Sequence, residues 1–213
     1  MYETEEQQLE ALKKWWEANK VSTISGLVLG IALILGTNYW QEYKKEQSEQ
    51  ASALYAQLTK TAQSAKKDDA DKIAERLQND YPKSDYAAYS ALVLAKLKVE
   101  KGDIATAKTL LEKIASGSNK ELSNIAKIRL VRLMLANKEY EQGLKLINEV
   151  DPSSNAKFEG NYDELVGDLY VALGRFDQAR TSYKKAIDDG YRSPLLQFKI
   201  DDLTAPDKLT STK

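Results

Sequence analysis

The sequence predicts an all-α protein with a single N-terminal transmembrane helix followed by an α-solenoid of about four helix pairs. Gly and Pro are scarce, with 10 and 4 among 213 residues, which is typical of helices joined by short turns. One uncharged, apolar run lies near the N-terminus, and the remainder of the chain repeats itself every 36 residues. Together these observations disfavour a β fold and predict helices throughout.

The uncharged run extends over 21 residues, from Val21 to Gln41. At about 1.5 Å per residue it spans the roughly 30 Å hydrocarbon core of a bilayer. Trp15 and Trp16 precede the run and Trp40 lies near its end, at the two headgroup levels where aromatic side chains concentrate. Because the preceding charges are mixed and the run exceeds a signal-peptide core, we expect an uncleaved anchor.

The two segments flanking this anchor differ greatly in size. Lysines lie on both sides of it, so the charge bias is slight. A short tail is easily retained, whereas a large domain is translocated largely regardless of its charge. We therefore expect a cytoplasmic tail at residues 1–20, the transmembrane helix at 21–41 and a periplasmic domain at 42–213, if the cell is a Gram-negative bacterium.

Small residues recur every four positions within the predicted anchor, at Ser22, Gly26 and Gly30. This spacing places them on one helix face, where another transmembrane helix can approach closely. Glycine is also common in membrane helices that dock nothing. The stripe predicts a site for a partner helix, and a stripe without that role stays open as the alternative.

Three peptides that begin at Gly102, Lys138 and Gly174 are 36 residues apart, without gaps. Aligned on this period, one column holds only small residues, which allow two antiparallel helices to pack closely. We expect the column just before it to fill the turn within each pair. The small column is Ala107, Gly143 and Ala179, and the turn column is Ile104, Tyr140 and Phe176. Two further columns lie on the first helices: Leu94, Leu130 and Val166, and Ala95, Val131 and Gly167. Two more lie on the second helices: Leu111, Ile147 and Tyr183, and Ile114, Val150 and Ala186.

The pattern resembles the tetratricopeptide repeat, whose usual period is about 34 residues. The residues that carry this resemblance best are Gly167, Tyr170, Gly174, Phe176, Ala179, Tyr183 and Ala186. A looser first pair is predicted from Leu54, Tyr55, Leu58 and Ala62, with Ile73, Ala74 and Leu77 on its second helix. Pro82, Pro152 and Pro194 fall in predicted inter-repeat turns, and a segment around Leu195 to Leu203 is expected to cap the last apolar face.

Such a stack leaves a groove lined mainly by the first helix of each pair. The register predicts the groove residues Tyr89, Lys96, Val99, Ile125, Arg132, Leu135, Asn161, Glu164 and Asp168. Their mixed chemistry suits the binding of peptides or proteins, and a solvated face with a few apolar side chains at its edge is the alternative.

Composition also indicates which functions to expect. The sequence contains neither Cys nor His, the residues that most often act as nucleophile, general base or metal ligand. We expect no catalysis, no metal and no cofactor. Its 31 basic and 32 acidic residues are spread along the chain and give a net charge of −1, so nucleic acid is not an expected partner.

Several short peptides occur in a fixed order along the chain. They are Glu5-Glu6-Gln7, Lys13-Lys14-Trp15-Trp16, the anchor ending in Trp40, the degenerate repeats and the closing Lys199-Ile200-Asp201-Asp202-Leu203. This order resembles the YfgM-type ancillary subunit of the bacterial SecYEG translocon. The resemblance implies an inner-membrane protein whose periplasmic domain associates with SecYEG and with the chaperone PpiD, and which helps newly translocated client polypeptides onward. Its contact with membrane lipid is through the anchor.

A second function from another class stays open. The resemblance also implies a link to a stress-response regulator on the cytoplasmic side. The chain would then be a membrane-tethered scaffold or regulator that acts through its cytoplasmic tail, while the repeats only sense a partner.

Overall fold

The computed structural model describes residues 5–64, 67–151 and 156–204. Within these ranges the regular structure is entirely α-helical, which confirms the predicted fold class. The helices are α1 (Glu5–Ala62), α2 (Lys67–Asp80), α3 (Asp85–Glu100), α4 (Ile104–Ala115), α5 (Lys120–Ala136), α6 (Tyr140–Asn148), α7 (Glu159–Ala172), α8 (Phe176–Asp188) and α9 (Leu196–Thr204).

The chain divides into two compact units between Ser52 and Ala53. In the first unit α1 carries the apolar run, and its large side chains there, such as Leu27 and Leu33, are exposed. Of the described helices, α1 is the one long and apolar enough to cross a membrane. The predicted limits of the span, at residues 21 and 41, lie inside α1, because the helix continues beyond the uncharged run on both sides.

In the second unit the repeat period appears directly in the backbone. The second helices α4, α6 and α8 begin at Ile104, Tyr140 and Phe176, which are 36 residues apart as predicted. Each follows a residue with positive φ, at Gly102 (79°), Lys138 (64°) and Gly174 (72°). The next amide donates to a carbonyl five residues back, at 2.8–2.9 Å, which is the closure typical of a helix that ends in a left-handed residue.

The last residues of α1 and all of α2 form the first helix pair. Leu58 is fully buried with Ala70 and Ala74 of α2 and with Leu94 and Leu97 of α3. The looser first repeat predicted from the sequence is therefore present. Each later helix then packs on its predecessor, α3 on α2, α4 on α3, and onward to α9 on α8.

In the first and last of the three aligned repeats, a small residue on the first helix packs against a larger one on the second helix. Ala95 shares a core cluster with Leu111, whereas at the equivalent positions of the last pair Gly167 packs against Tyr183. A smaller residue on one helix thus accompanies a larger one on its partner, which keeps the interior filled. The turn column is less uniform: Ile104 and Tyr140 are half-buried, but Phe176 is 52% exposed. The expectation that Phe176 fills its turn is wrong, because about half of its surface is open to solvent.

Polar contacts fix the ends of several helices. Ser84, Asp103 and Asn119 accept hydrogen bonds from backbone amides at the starts of α3, α4 and α5, which satisfies donors that have no partner within the helix. Pro82 and Pro194 lie in the turns before α3 and α9, as predicted. Pro152 lies outside the described residues.

Candidate protein-binding face

The nine predicted groove residues all lie on the first helices α3, α5 and α7. We call this set the first-helix face. The period of 36 places Tyr89, Ile125 and Asn161 at equivalent positions, and likewise Lys96, Arg132 and Asp168, and Val99 and Leu135. Four of the nine are exposed, at Tyr89, Lys96, Val99 and Arg132. Whether any of them binds a partner stays a prediction.

A buried hydrogen bond joins α5 and α7. The hydroxyl of Tyr162 on α7 donates to Oδ1 of Asn124 on α5 at 2.7 Å. Asn124 in turn donates to the Lys120 carbonyl at 2.8 Å. Burial raises the pKa of Tyr162 to about 12, so the phenol stays protonated and keeps donating at any physiological pH. The contact holds two of the three helices of the face together.

Three tyrosines contact one another beside the first-helix face. The rings of Tyr55 on α1, Tyr86 and Tyr89 on α3 have centroids 5.6–6.1 Å apart. These are the tilted and edge-to-face geometries that aromatic pairs prefer. Tyr89 is 37% exposed and Tyr55 and Tyr86 are half-buried. The structure therefore offers an aromatic surface, which we call the tyrosine cluster.

At the C-terminal end of the face the acidic residues are held by α9. Nζ of Lys199 lies 2.8 Å from Oε1 of Glu164 and 2.7 Å from Oδ1 of Asp168. Asp168 also accepts a hydrogen bond from the Tyr183 hydroxyl at 2.7 Å, and the Lys199 ammonium lies 5.7 Å from the centre of the Tyr183 ring. Two of the nine predicted groove residues are thus engaged by the chain's own C-terminal helix.

The connection between α8 and α9 reinforces this arrangement. Tyr191 accepts a hydrogen bond from the Asn161 amide at 3.0 Å, and Ser193 donates to Glu164 at 3.3 Å. A Cβ added to Gly160 would lie 2.1 Å from the Cβ of Tyr191, so only glycine permits this approach. Leu196 and Ile200 are buried against Ala179, Tyr183 and Ala186 of α8, which confirms the predicted cap.

Lys199, Glu164 and Asp168 stabilise one another in their charged forms. Burial disfavours the ionised forms of Lys199 and Glu164, but their hydrogen bond and mutual attraction outweigh it. As a result the pKa of Lys199 is raised and that of Glu164 is lowered. Burial, followed by the charge and hydrogen bond of Asp168, raises the pKa of the Tyr183 phenol. At neutral pH the cluster therefore contains one cation, two anions and a neutral phenol.

The predicted stripe in the anchor lies on the surface of α1. Ser22 and Gly26 are exposed and Gly30 is half-buried. A Cβ built on Gly26 or on Gly30 would meet no atom within 4 Å. The space beside both glycines is open, as a docking face for another helix requires, and the docking itself stays a prediction.

Comparisons with known proteins cover almost the whole chain. A family profile described as a tetratricopeptide repeat-like domain matches residues 13–205. A protein of Haemophilus influenzae named ancillary SecYEG translocon subunit is 31% identical over 187 residues, which are 87% of this chain and 90% of the relative. Proteins of the same name from Aggregatibacter actinomycetemcomitans and Escherichia coli are 28% and 26% identical, over 93% and 96% of this chain and 97% and 98% of theirs.

The chain belongs to the YfgM-type family of ancillary SecYEG translocon subunits. The matched region, residues 13–205, includes both the apolar run of α1 and the stacked helix pairs. No solved structure shows a significant match to this chain.

Two features of this chain do not follow from its sequence. Lys199 stands there only within the closing peptide, and no spacing groups the tyrosines at positions 55, 86 and 89. Each feature joins helices that are distant in sequence, with Lys199 lying 31 residues after Asp168. The helical spacing of Leu196, Lys199, Ile200 and Leu203 offers one signal. A single Lys on an otherwise apolar helix face predicts a buried anion nearby.

Proposed function

We propose that the chain is an accessory subunit of the SecYEG translocon in the bacterial inner membrane, which binds newly translocated polypeptides and passes them to periplasmic chaperones such as PpiD. The observation that carries this proposal is the end-to-end similarity to proteins named ancillary SecYEG translocon subunits. The exposed residues of the first-helix face support it, because such a surface suits binding rather than chemistry.

The proposed topology is a single pass with the N-terminus in the cytoplasm. Residues 1–20 form the cytoplasmic tail, 21–41 cross the membrane and 42–213 form the periplasmic domain. The exposed apolar side chains of α1 support the span, since in water such a surface has no partner to cover it. The small tail and the large C-terminal domain support the orientation.

Within the membrane, we propose that the Ser22, Gly26 and Gly30 stripe docks a helix of the translocon or of PpiD. The open space beside both glycines supports this, because a partner backbone can approach where side chains are small. Lipid covers the other faces of the anchor.

The proposed mechanism is binding without turnover. An anchor beside the channel keeps the repeat domain near each emerging polypeptide. Tethering raises the effective concentration of the two partners to roughly the millimolar range, so weak contacts on the first-helix face suffice. No cofactor and no metal take part in this mechanism, and nucleic acid is not a partner.

Site-specific photo-crosslinking in intact membranes tests the proposal. A photoreactive residue would replace Tyr89, Lys96 or Arg132, and matched controls would replace Lys113 and Lys184, which are exposed on the second helices α4 and α8. We expect SecYEG, PpiD and client adducts from the first set only. Equal adducts from both sets, or adducts with none of these proteins, would overturn the proposal.

The anchor is tested separately. Gly26→Leu combined with Gly30→Leu fills the open stripe, whereas Ile31→Ala and Leu35→Ala change apolar residues on the opposite face of the same helix. We expect the glycine variant to lose the translocon complex from mild detergent and the control to keep it. Undiminished complex in the glycine variant would contradict helix docking at this stripe.

The alternative, a scaffold or regulator that acts through the cytoplasmic tail, predicts a different outcome. Deletion of residues 1–18 would then abolish partner binding altogether. On the proposed function the deletion leaves client and chaperone adducts intact, because the repeats do the binding.

A further inference from the structure

The charges on the first-helix face are not balanced along its length. At its C-terminal end the carboxylates of Glu164 and Asp168 share one cation, Lys199, and so keep one net negative charge. At the positions equivalent to Asp168 in the two preceding repeats the face carries cations, Lys96 and Arg132. No described carboxylate forms an ion pair with Arg132. Lys96 has only an exposed contact of 3.7 Å with Glu100, and such pairs contribute roughly 0–1 kcal/mol.

The open part of the face is therefore cationic, although the whole chain has a net charge of −1. An acidic ligand attracted here must be attracted by the local arrangement, since the net charge of the chain repels it. Lys96 is exposed and Arg132 lies on the neighbouring first helix at the same level of the repeat. Both can turn towards a carboxylate that lies on the face.

The tyrosine cluster lies at the start of the same helix α3. Tyr55, Tyr86 and Tyr89 present ring faces and edges. Their hydroxyl groups make no hydrogen bond to another residue of the described ranges. Aromatic surfaces of this kind accept proline or aliphatic side chains of extended peptides, while the hydroxyls donate to peptide carbonyls. The cluster contributes apolar contact and unused donors at one place.

The spacing of the two features defines a ligand. Tyr89 and Lys96 are two helical turns apart on one face of α3, which corresponds to about 10 Å along the helix axis. An extended chain advances about 3.3 Å per residue. A carboxylate about three residues from the apolar residue in the tyrosine cluster therefore reaches Lys96.

We propose that the tyrosine cluster together with Lys96 and Arg132 binds an extended acidic segment of a partner protein. A proline or aliphatic residue of that segment packs on the tyrosines, and acidic residues that follow about three positions later pair with the two cations. The inference deepens the proposed function, on which it rests, by giving the chemistry of the polypeptide that the repeats capture.

Labelled peptides and the full-length chain in detergent micelles test this inference. The first peptide contains Pro-Leu and, beginning three residues later, a run of alternating Asp and Ser. The second has Lys for every Asp, and the third has Gly-Ser for Pro-Leu. By fluorescence anisotropy we expect the first to bind at least about tenfold more tightly than either of the others, which corresponds to about 1.4 kcal/mol. Equal binding of the acidic and basic peptides overturns the inference.

Variants locate the site. The double variant Lys96→Glu with Arg132→Glu should weaken binding of the acidic peptide by at least about tenfold. It should also reverse the preference between the acidic and the basic peptide. Lys113→Glu with Lys184→Glu is the matched control, since it changes the net charge equally on exposed positions of second helices. If the control weakens binding as much, general repulsion explains the effect and the inference falls.

Two variants at Tyr89 test the tyrosine cluster. Tyr89→Ser removes the most exposed ring of the cluster, and we expect a loss of about fivefold to tenfold. Tyr89→Phe keeps the ring and should bind nearly as the parent does. If the serine variant binds as tightly as the parent, the cluster has no role.

These results are distinguishable from a failure of the proposed function. If the peptides do not discriminate but crosslinks to SecYEG and clients form at Tyr89, Lys96 and Arg132, the face binds partners of other chemistry and only this inference falls. If crosslinks are also missing, the proposed function falls with it. Circular dichroism of each variant shows that the helices are retained.

Discussion

The ammonium group of Lys199 on α9 lies 2.7 Å from the carboxylate of Asp168 on α7. This ion pair, which also includes Glu164, connects the C-terminal helix to the first helix of the last full repeat. Solenoids need a terminal element that covers the apolar face of the final repeat. Here that element is held both by buried apolar residues and by a partly buried charge cluster.

Removal of the cation should loosen α9. Lys199→Met leaves Glu164, which is 8% exposed, and Asp168 without their counter-charge, and we expect a loss of about 1–3 kcal/mol in the free energy of unfolding. Hydrogen exchange measured by mass spectrometry should accelerate in α9 before other helices. Lys184→Met changes an exposed lysine on α8 and serves as the control. Unchanged exchange in α9 would show that the apolar contacts alone hold it.

Acidification should weaken the same cluster. The pKa of Glu164 in the folded chain is lowered from its ordinary 4.5 by Lys199, against the effect of burial. Its contribution to stability is therefore fully present above about pH 4.5 and is lost as the pH falls through the lower folded-state value. The pKa of Asp163 is raised, chiefly by burial, which gives the opposite dependence.

The comparison of the parent chain with Glu164→Gln isolates this one contribution. The two melting temperatures should differ most near neutral pH and converge as the pH falls below about 4.5. Thermal melts followed by circular dichroism at a series of pH values measure the difference. A constant gap across that range would rule out a role for Glu164 ionisation.

Gly167 should not tolerate a side chain. An added Cβ would lie 2.2 Å from Cε1 of Tyr183, and Tyr183 is 2% exposed with its hydroxyl bound to Asp168. We expect Gly167→Ala to cost about 1–3 kcal/mol by overpacking. Tyr183→Leu, which restores the pairing of sizes seen in the earlier repeats, should partly offset that loss in the double variant.

A matched position shows whether crowding is the cause. At Gly143 the nearest atoms are the methyl groups of Leu169, at 3.1 and 3.2 Å, and this flexible side chain can move. Gly143→Ala should therefore cost less than Gly167→Ala in urea titrations. Equal costs, or additive effects in the Gly167 and Tyr183 double variant, would argue against the size relationship.

Lys138 is the position where a gain in stability is expected. It adopts φ of 64° where the equivalent residues are Gly102 and Gly174, and a non-glycine residue in this region costs about 1–2 kcal/mol. Lys138→Gly should therefore stabilise the chain by about 1 kcal/mol, after the greater freedom of unfolded glycine is subtracted. Gly174→Ala, the reverse change in the next repeat, should destabilise it by a similar amount. Loss of stability in Lys138→Gly would contradict this account.

Much of the fold follows from local regularities in the sequence. The uncharged run, the period of 36, the small residues at Ala107, Gly143 and Ala179 and the closing apolar segment predict the anchor, the helix pairs and the cap. These features can be predicted from the sequence because residues three to four positions apart lie on the same helix face, and because each repeat buries the same positions. The family resemblance rested on the same order of parts.

The sequence did not reveal which distant residues meet. The partners of Lys199, the grouping of Tyr55 with Tyr86 and Tyr89, and the exposure of Phe176 depend on how successive helices are rotated against one another. That rotation results from the packing of whole side chains, such as Tyr183 against Gly167, and no local period encodes it. The sequence alone determined that this protein has an apolar N-terminal helix and stacked helix pairs, and only the tertiary structure decided which charges remain free on the face they form.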